Sequence, residues 1–263
     1  MTQSSGQARV VRFFEHVPIA AAAMGLLIAV VTLGQWYMGV GARAAYVPGA
    51  VSMLPVTAVI IGLNSIALAL SARPGRPVVV RAAAVVVVCI AGIIAVVQLA
   101  SWIAGRDMGF DLLLFPEELR RAPWDPPGRM AINTVAGVLL SSISILALQV
   151  DDRSNGHSAR WAALFAGTIG FLGLVGYSFG VSSLYSVREF SGMSITTALS
   201  LFVLGIGVIF GRRNSGLPKL LVDPGAAGTV ARRLVPAAVF VPFLLGWLRL
   251  FGEKNGWYDT PFG

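Results

Sequence analysis

Charge is what this sequence has least of. Only 12% of its 263 residues are Asp, Glu, Lys or Arg, while 56% are apolar; a soluble domain carries about 25% charged residues. A surface so poor in charge is not held in water, which excludes a soluble globule. Cysteine is nearly absent as well. Cys89 stands alone inside an apolar run, so there is neither a disulfide framework nor a thiolate metal centre. The two histidines, His16 and His157, are far apart in sequence, which speaks against a histidine metal or haem site. Ionisable residues are missing from the interiors of the apolar runs, whereas ion-coupled transporters place them along the path. No nucleophile–base pair or metal-ligand cluster stands out, so the chain reads as a non-enzyme without a cofactor.

What the sequence has is repeated apolar length. Seven stretches approach the ~20 residues that cross a bilayer: about 17–39, 53–72, 80–104, 130–149, 160–181, 193–211 and 233–251. The first is too long, and has too many successors, for a cleaved signal peptide. Sorting the charges by alternate loops puts twelve basic and four acidic residues on one side, and eight of each on the other. The whole formal excess of +8 therefore sits on one face. The positive-inside rule makes that face cytoplasmic and places the N-terminus inside, as for a multi-pass protein of a bacterial cytoplasmic (inner) membrane. Anionic headgroups account for the basic balance, so nucleic acid is not an expected partner.

The apolar runs repeat a phrase. Aligned on Thr57, Thr134 and Thr197, the segments "MLPVTAVIIGLNSIALAL", "MAINTVAGVLLSSISILAL" and "MSITTALSLFVLGIGVIF" each carry a methionine four residues earlier: Met53, Met130 and Met193. Each preceding run ends in an aromatic, two residues and glycine: "WYMG" from Trp36, "WIAG" from Trp102 and "YSFG" from Tyr177. The predicted unit is an outward helix, an aromatic and glycine stop, an external loop and a return helix with a polar start. Three such hairpins span about 13–75, 78–152 and 158–213. A partial fourth covers 230–263, with Arg249 in the aromatic slot and Asp259–Thr260 in the slot of Asn133–Thr134 and Thr196–Thr197. An eighth span is therefore expected after the chain end. The fold expected is all-α, a polytopic transmembrane helix bundle of repeated helical hairpins forming a single domain over 1–263.

The polar starts have two readings. Their side chains accept from the unpaired N–H groups of a helix N-terminus. Alternatively Thr57, Asn133, Thr134, Thr196 and Thr197, with Trp36, Trp102, Tyr177 and Arg249, gather into an outer polar cup for an unknown small ligand, favoured by the positive helix ends. The glycine series Gly167, Gly170, Gly173, Gly176 and Gly180 allows close helix packing within the chain, in a homodimer or against other membrane subunits. The external loop 106–129, "RDMGFDLLLFPEELRRAPWDPPGR", reads either as a lid over the bundle mouth or as an interfacial spacer. The cytoplasmic linker 212–233 reads as a surface segment with little structure of its own.

At "GFDLLLF", "GRMAINT", "GMSITTALSLFVLGIGVIF" and "ARRLVPAAVFVPFLLGWLRLFGEKNGWYDT" the chain resembles the multi-span N-terminal membrane sensor region of bacterial sensor histidine kinases and related receptors. The likeness is stronger from about residue 100 onward. An "M-x-x-N-T-A" phrase recurs in that family, and the three methionine segments here are variants of it. The resemblance implies a sensory input module whose PAS, kinase or diguanylate cyclase output domains lie outside these residues. The alternatives are an accessory transmembrane subunit of a larger assembly, or a carrier of an apolar, quinone-like molecule.

Overall fold

The computed structural model describes residues 5–43, 51–72, 75–106, 108–109, 111–122, 127–150, 157–179, 186–188, 191–211, 217–223 and 225–255. These residues are helical almost throughout. In order come α1 (Ser5–Tyr37), a 3-10 turn at Gly41–Arg43, α2 (Pro55–Ser71), α3 (Val78–Ala104), α4 (Pro116–Arg121), α5 (Ile132–Val150), α6 (His157–Phe179), a short antiparallel ladder of Ser186–Arg188 with Ser191–Gly192, α7 (Ile195–Phe210), α8 (Leu217–Val222) and α9 (Ala226–Lys254). Local chemistry sets several boundaries. Pro55 and Pro116 open α2 and α4, where the missing N–H costs nothing. Gly105, at φ 67°, closes α3 in the left-handed region that suits glycine.

Six helices close into a ring. Going round it, α1 packs on α2, α2 on α3, α3 on α5, α5 on α6, α6 on α7, and α7 back on α1. Three members, α2, α5 and α7, also touch one another across the middle. The inner trio is therefore α2, α5 and α7, and each of α1, α3 and α6 fills a groove between two of them. Small residues make this closeness feasible. A Cβ on Gly205 of α7 would lie 2.9 Å from the Ala163 carbonyl oxygen of α6, and one on Gly170 would lie 2.5 Å from that of Ala198. Without a hydrophobic gradient in lipid, such backbone approach is the main source of helix association.

Cross-helix contacts fix the relative heights of the inner trio. Ser142, eight residues past Thr134, donates to Asn64 Oδ1, seven past Thr57, at 3.1 Å. Gly137, three past Thr134, faces Leu201, four past Thr197; Gly207, ten past Thr197, faces Leu68, eleven past Thr57. The three threonines thus share one end of the bundle, level to within about one residue, or ~1.5 Å. At the opposite end Arg76 and Arg81 reach Gln149 at the end of α5, and Gln149 in turn donates to Ser71 at the end of α2. Phe14 of α1 stacks on Phe210 of α7 there, with centroids 5.0 Å apart.

Among the described residues five helices are long and apolar enough to cross a membrane: Phe14–Tyr37, Val78–Ala104, Ile132–Gln149, His157–Phe179 and Ala226–Arg249. The expected spans at 53–72 and 193–211 fold as shorter helices, of 17 and 16 residues. Those lengths reach about 24–26 Å, short of the ~30 Å hydrocarbon core. Both helices belong to the inner trio, shielded by neighbours, and both are preceded by buried non-helical residues.

α9 lies outside the ring. It leans on α6, where Phe243 meets Phe171 edge-on at 5.4 Å, and a Cβ on Gly246 would overlap the Phe179 ring. Only 11% of its apolar window is buried, against 50% for α5. The described part of the linker before it, from Leu217, has more structure than its composition suggests. Pro218 and Leu221 of α8 are buried, and Arg232 donates to the carbonyls of Leu221 at 2.7 Å and Asp223 at 3.0 Å. These side-chain anchors, spread along the segment, give α8 its place. Asp259–Thr260 lie outside the described residues.

Candidate functional site

The three threonine-headed helices begin below the surface of the bundle, and that creates a backbone problem. The residues leading into them, Ser52–Leu54, Met130–Ala131 and Met193–Ser194, are buried and non-helical. The carbonyls of Leu54, Ala131 and Ser194 accept the first helical bonds, from Ala58, Val135 and Ala198. Those of the three methionines lie one residue too early, and at membrane depth there is no water to replace a partner. The same solution occurs three times. Trp36 Nε1 donates to the Met53 carbonyl at 2.8 Å, Trp102 Nε1 to the Met130 carbonyl at 2.7 Å, and Tyr177 Oη to the Met193 carbonyl at 2.6 Å. Each aromatic ends one outer helix, and each methionine leads into the next inner one. We call these contacts latches.

The latches differ in their surroundings. Trp36 is buried between the 3-10 turn and the 106–129 loop. A Cβ on Gly41 would strike its ring at 2.4 Å, and Phe115 stacks on it at 6.4 Å. Phe115 adopts φ 55°, uncommon for a bulky residue, while Leu119 of α4 is fully buried. Trp102 carries the Arg129 guanidinium at 5.7 Å from its ring centroid, within cation–π range. Arg129 also faces the buried Asp111 carboxylate at 3.9 Å. Gly128, at φ 76°, lets that chain return close by, since a Cβ would lie 2.4 Å from the Asp111 carbonyl oxygen. Phe115, from the middle of the loop, thus covers the first latch, and Asp111 and Arg129, from its two ends, meet beside the second.

Beneath the latches the inner helices carry buried hydroxyls and amides. Ser194 caps α7, its Oγ accepting from the Thr197 N–H at 3.1 Å and meeting the hydroxyls of Thr196 and Thr197 at 3.1 and 2.8 Å. The α5 start uses Asn133, whose Oδ1 accepts from the Thr134 N–H at 2.9 Å. α2 starts without a side-chain cap, because Leu54, at the N-cap position, has no polar side-chain atom. Side-chain capping therefore operates at two of the three starts. Deeper in, Asn64 Nδ2 and both polar atoms of Gln98 are buried with no hydrogen-bond partner among the described residues.

Compared with known protein families, with curated proteins and with solved structures, the chain matches none.

Of the residues expected to form a polar cup, Thr57, Thr134, Thr197 and Trp36 are brought to one end of the ring and buried. Asn133, Thr196, Trp102 and Tyr177 stand at the same end, half-buried. Arg249 does not join them, since it is exposed on α9, outside the ring. Sequence reasoning aligned Met53, Met130 and Met193 but missed what they contribute, because the acceptor is a main-chain oxygen. The Asp111–Arg129 pair was also missed, although the opposite charges at the two ends of one loop offered a signal. Among the described residues no three His, Cys, Asp or Glu side chains gather into a metal-binding group.

Proposed function

We propose that this chain is the membrane-embedded input module of a bacterial signal-transduction receptor of the sensor histidine kinase kind. In this reading it crosses the inner membrane seven times, with its N-terminus and basic loops cytoplasmic, as three copies of one outward-and-return hairpin plus α9. One observation carries the reading. Three equivalent aromatic-to-carbonyl latches sit together at the end of a closed ring, while one long helix, α9, lies loosely outside that ring. A stimulus at the latched end that favours one packing of the outer helices over another shifts the position of α9. Because α6 carries both the Tyr177 latch and the aromatic seat of α9, it is the coupling element. The 106–129 loop serves as the lid through which a ligand or a bilayer change reaches the first two latches.

Spin labels at Val79→Cys on α3 and Val230→Cys on α9, in a Cys89→Ala background, report the basic end of the bundle. The reading predicts that Tyr177→Phe, at the opposite end, alters the label-to-label distance distribution in lipid nanodiscs. An unchanged distribution contradicts the coupling. A second reading, an accessory subunit of a larger membrane assembly, draws on the exposed Phe240, Leu245 and Trp247 of α9. Stoichiometric copurification with other membrane subunits, lost on Trp247→Ala, favours it over the receptor.

A further inference from the structure

Between α6, α7 and α9 runs a groove that neither the latches nor the ring uses. Its deep part has a volume of about 360 Å³ and is floored by Gly167 and Gly205, walled by Phe171 and Phe202, and roofed by Ala238 of α9. A second cavity of about 300 Å³ adjoins it at the basic end, between His157, Arg160, Trp161 and Leu217. Leu164 and Ile209 line both, so the two lie end to end along α6 and α7, and we call the pair the channel. Among the described lining residues Thr168 alone carries a hydroxyl in the deep part, and the guanidinium of Arg160 stands at the mouth. From Arg160 to Phe171 the channel follows eleven residues of α6, about 16 Å of helix. That is about half the ~30 Å hydrocarbon thickness, the depth reached by the acyl chains of one leaflet.

We infer that this channel binds one anionic phospholipid of the cytoplasmic leaflet, its phosphate at Arg160 beside Trp161 and one acyl chain laid between α6, α7 and α9. The chemistry fits at both ends. A guanidinium matches phosphate oxygens by two parallel hydrogen bonds, and an indole sits stably at headgroup level. An apolar slot at membrane depth is filled by whatever apolar material surrounds it, because close packing is the rule in interiors. Charge complementarity selects the occupant: Arg160 stands at the mouth, on the end of the molecule with the larger basic excess. The site is independent of whether α9 transmits a signal.

The test uses the full chain, purified in mild detergent, delipidated, and titrated with phosphatidylglycerol or phosphatidylcholine of the same chain length under native mass spectrometry. One tightly held phosphatidylglycerol is expected, preferred over phosphatidylcholine about fivefold, the effect of one arginine near an anionic headgroup. Arg160→Gln removes the preference but keeps lipid bound. Ala238→Phe fills the slot from the exposed side of α9 and abolishes retention of both lipids, with helical content unchanged by circular dichroism. Equal retention of the two lipids by the unaltered chain overturns the site, as does undiminished retention by Ala238→Phe. Should Ala238→Phe instead dissolve a dimer that holds no lipid, the groove is a protein interface and the assignment falls.

Discussion

At the scale of single residues, three side-chain donors satisfy three main-chain acceptors at one end of the ring. Deleting only the hydroxyl with Tyr177→Phe leaves the Met193 carbonyl unpaired in a buried position, at a cost of about 1–3 kcal/mol. Ser178→Ala, the neighbouring exposed residue, removes a hydroxyl that merely bonds back to Leu174 within its own helix, at 2.8 Å. It is expected to stay within about 0.5 kcal/mol of the unaltered protein. Denaturant titration in micelles, followed by tryptophan fluorescence, separates the two; equal stabilities for both variants contradict the latch. The register of these residues was legible in the sequence, because aromatic, glycine, methionine and threonine recur in the same order three times. Their bonding was not, since every residue type has a carbonyl and none advertises an unpaired one. Arg249 illustrates the reverse. Its position in the repeat suggested membership of the site, yet the loose packing of α9 leaves it outside.

At the scale of elements, seven apolar runs were visible by composition, and each became a helix. The shortening of α2 and α7 was not visible, because an extended Met-Leu-Pro or Gly-Met-Ser lead-in is as apolar or small as the helix it precedes. The structure of 217–223 and 225–233 escaped notice for another reason. Its stability comes from Arg232 bonding carbonyls nine and eleven residues away, which leaves no periodic trace. Glycine spacing, in contrast, translated well into packing. Gly170→Ala would push a Cβ to 2.5 Å from the Ala198 oxygen and 2.7 Å from the Phe202 nitrogen, both backbone atoms that cannot rotate away. The expected loss is about 1–3 kcal/mol, the range for overpacking a tight interface. Gly34, half-buried, leaves a Cβ nothing to meet within 4 Å, so Gly34→Ala gains up to about 1 kcal/mol of helix propensity. Thermal unfolding of the two variants in the same detergent checks this opposition of sign. Equal shifts for both contradict the close approach of α6 to α7.

At the scale of the whole molecule, the cyclic order of α1, α2, α3, α5, α6 and α7 places all three latches at one end and the Gln149 clasp at the other. Charge asymmetry and ring geometry thereby point to the same axis, the basic excess lying with the clasp. The central claim is that the three latched ends face the non-cytoplasmic side together. Single cysteines in a Cys89→Ala background test it: Met38→Cys, Met108→Cys and Ser178→Cys beside the three latches, and Ser158→Cys at the basic end. A membrane-impermeant maleimide applied to intact bacteria is expected to label the first three and to reach Ser158→Cys only after permeabilisation. If the three latch-side cysteines divide between the two sides of the membrane, the hairpins do not share an orientation and the account is wrong.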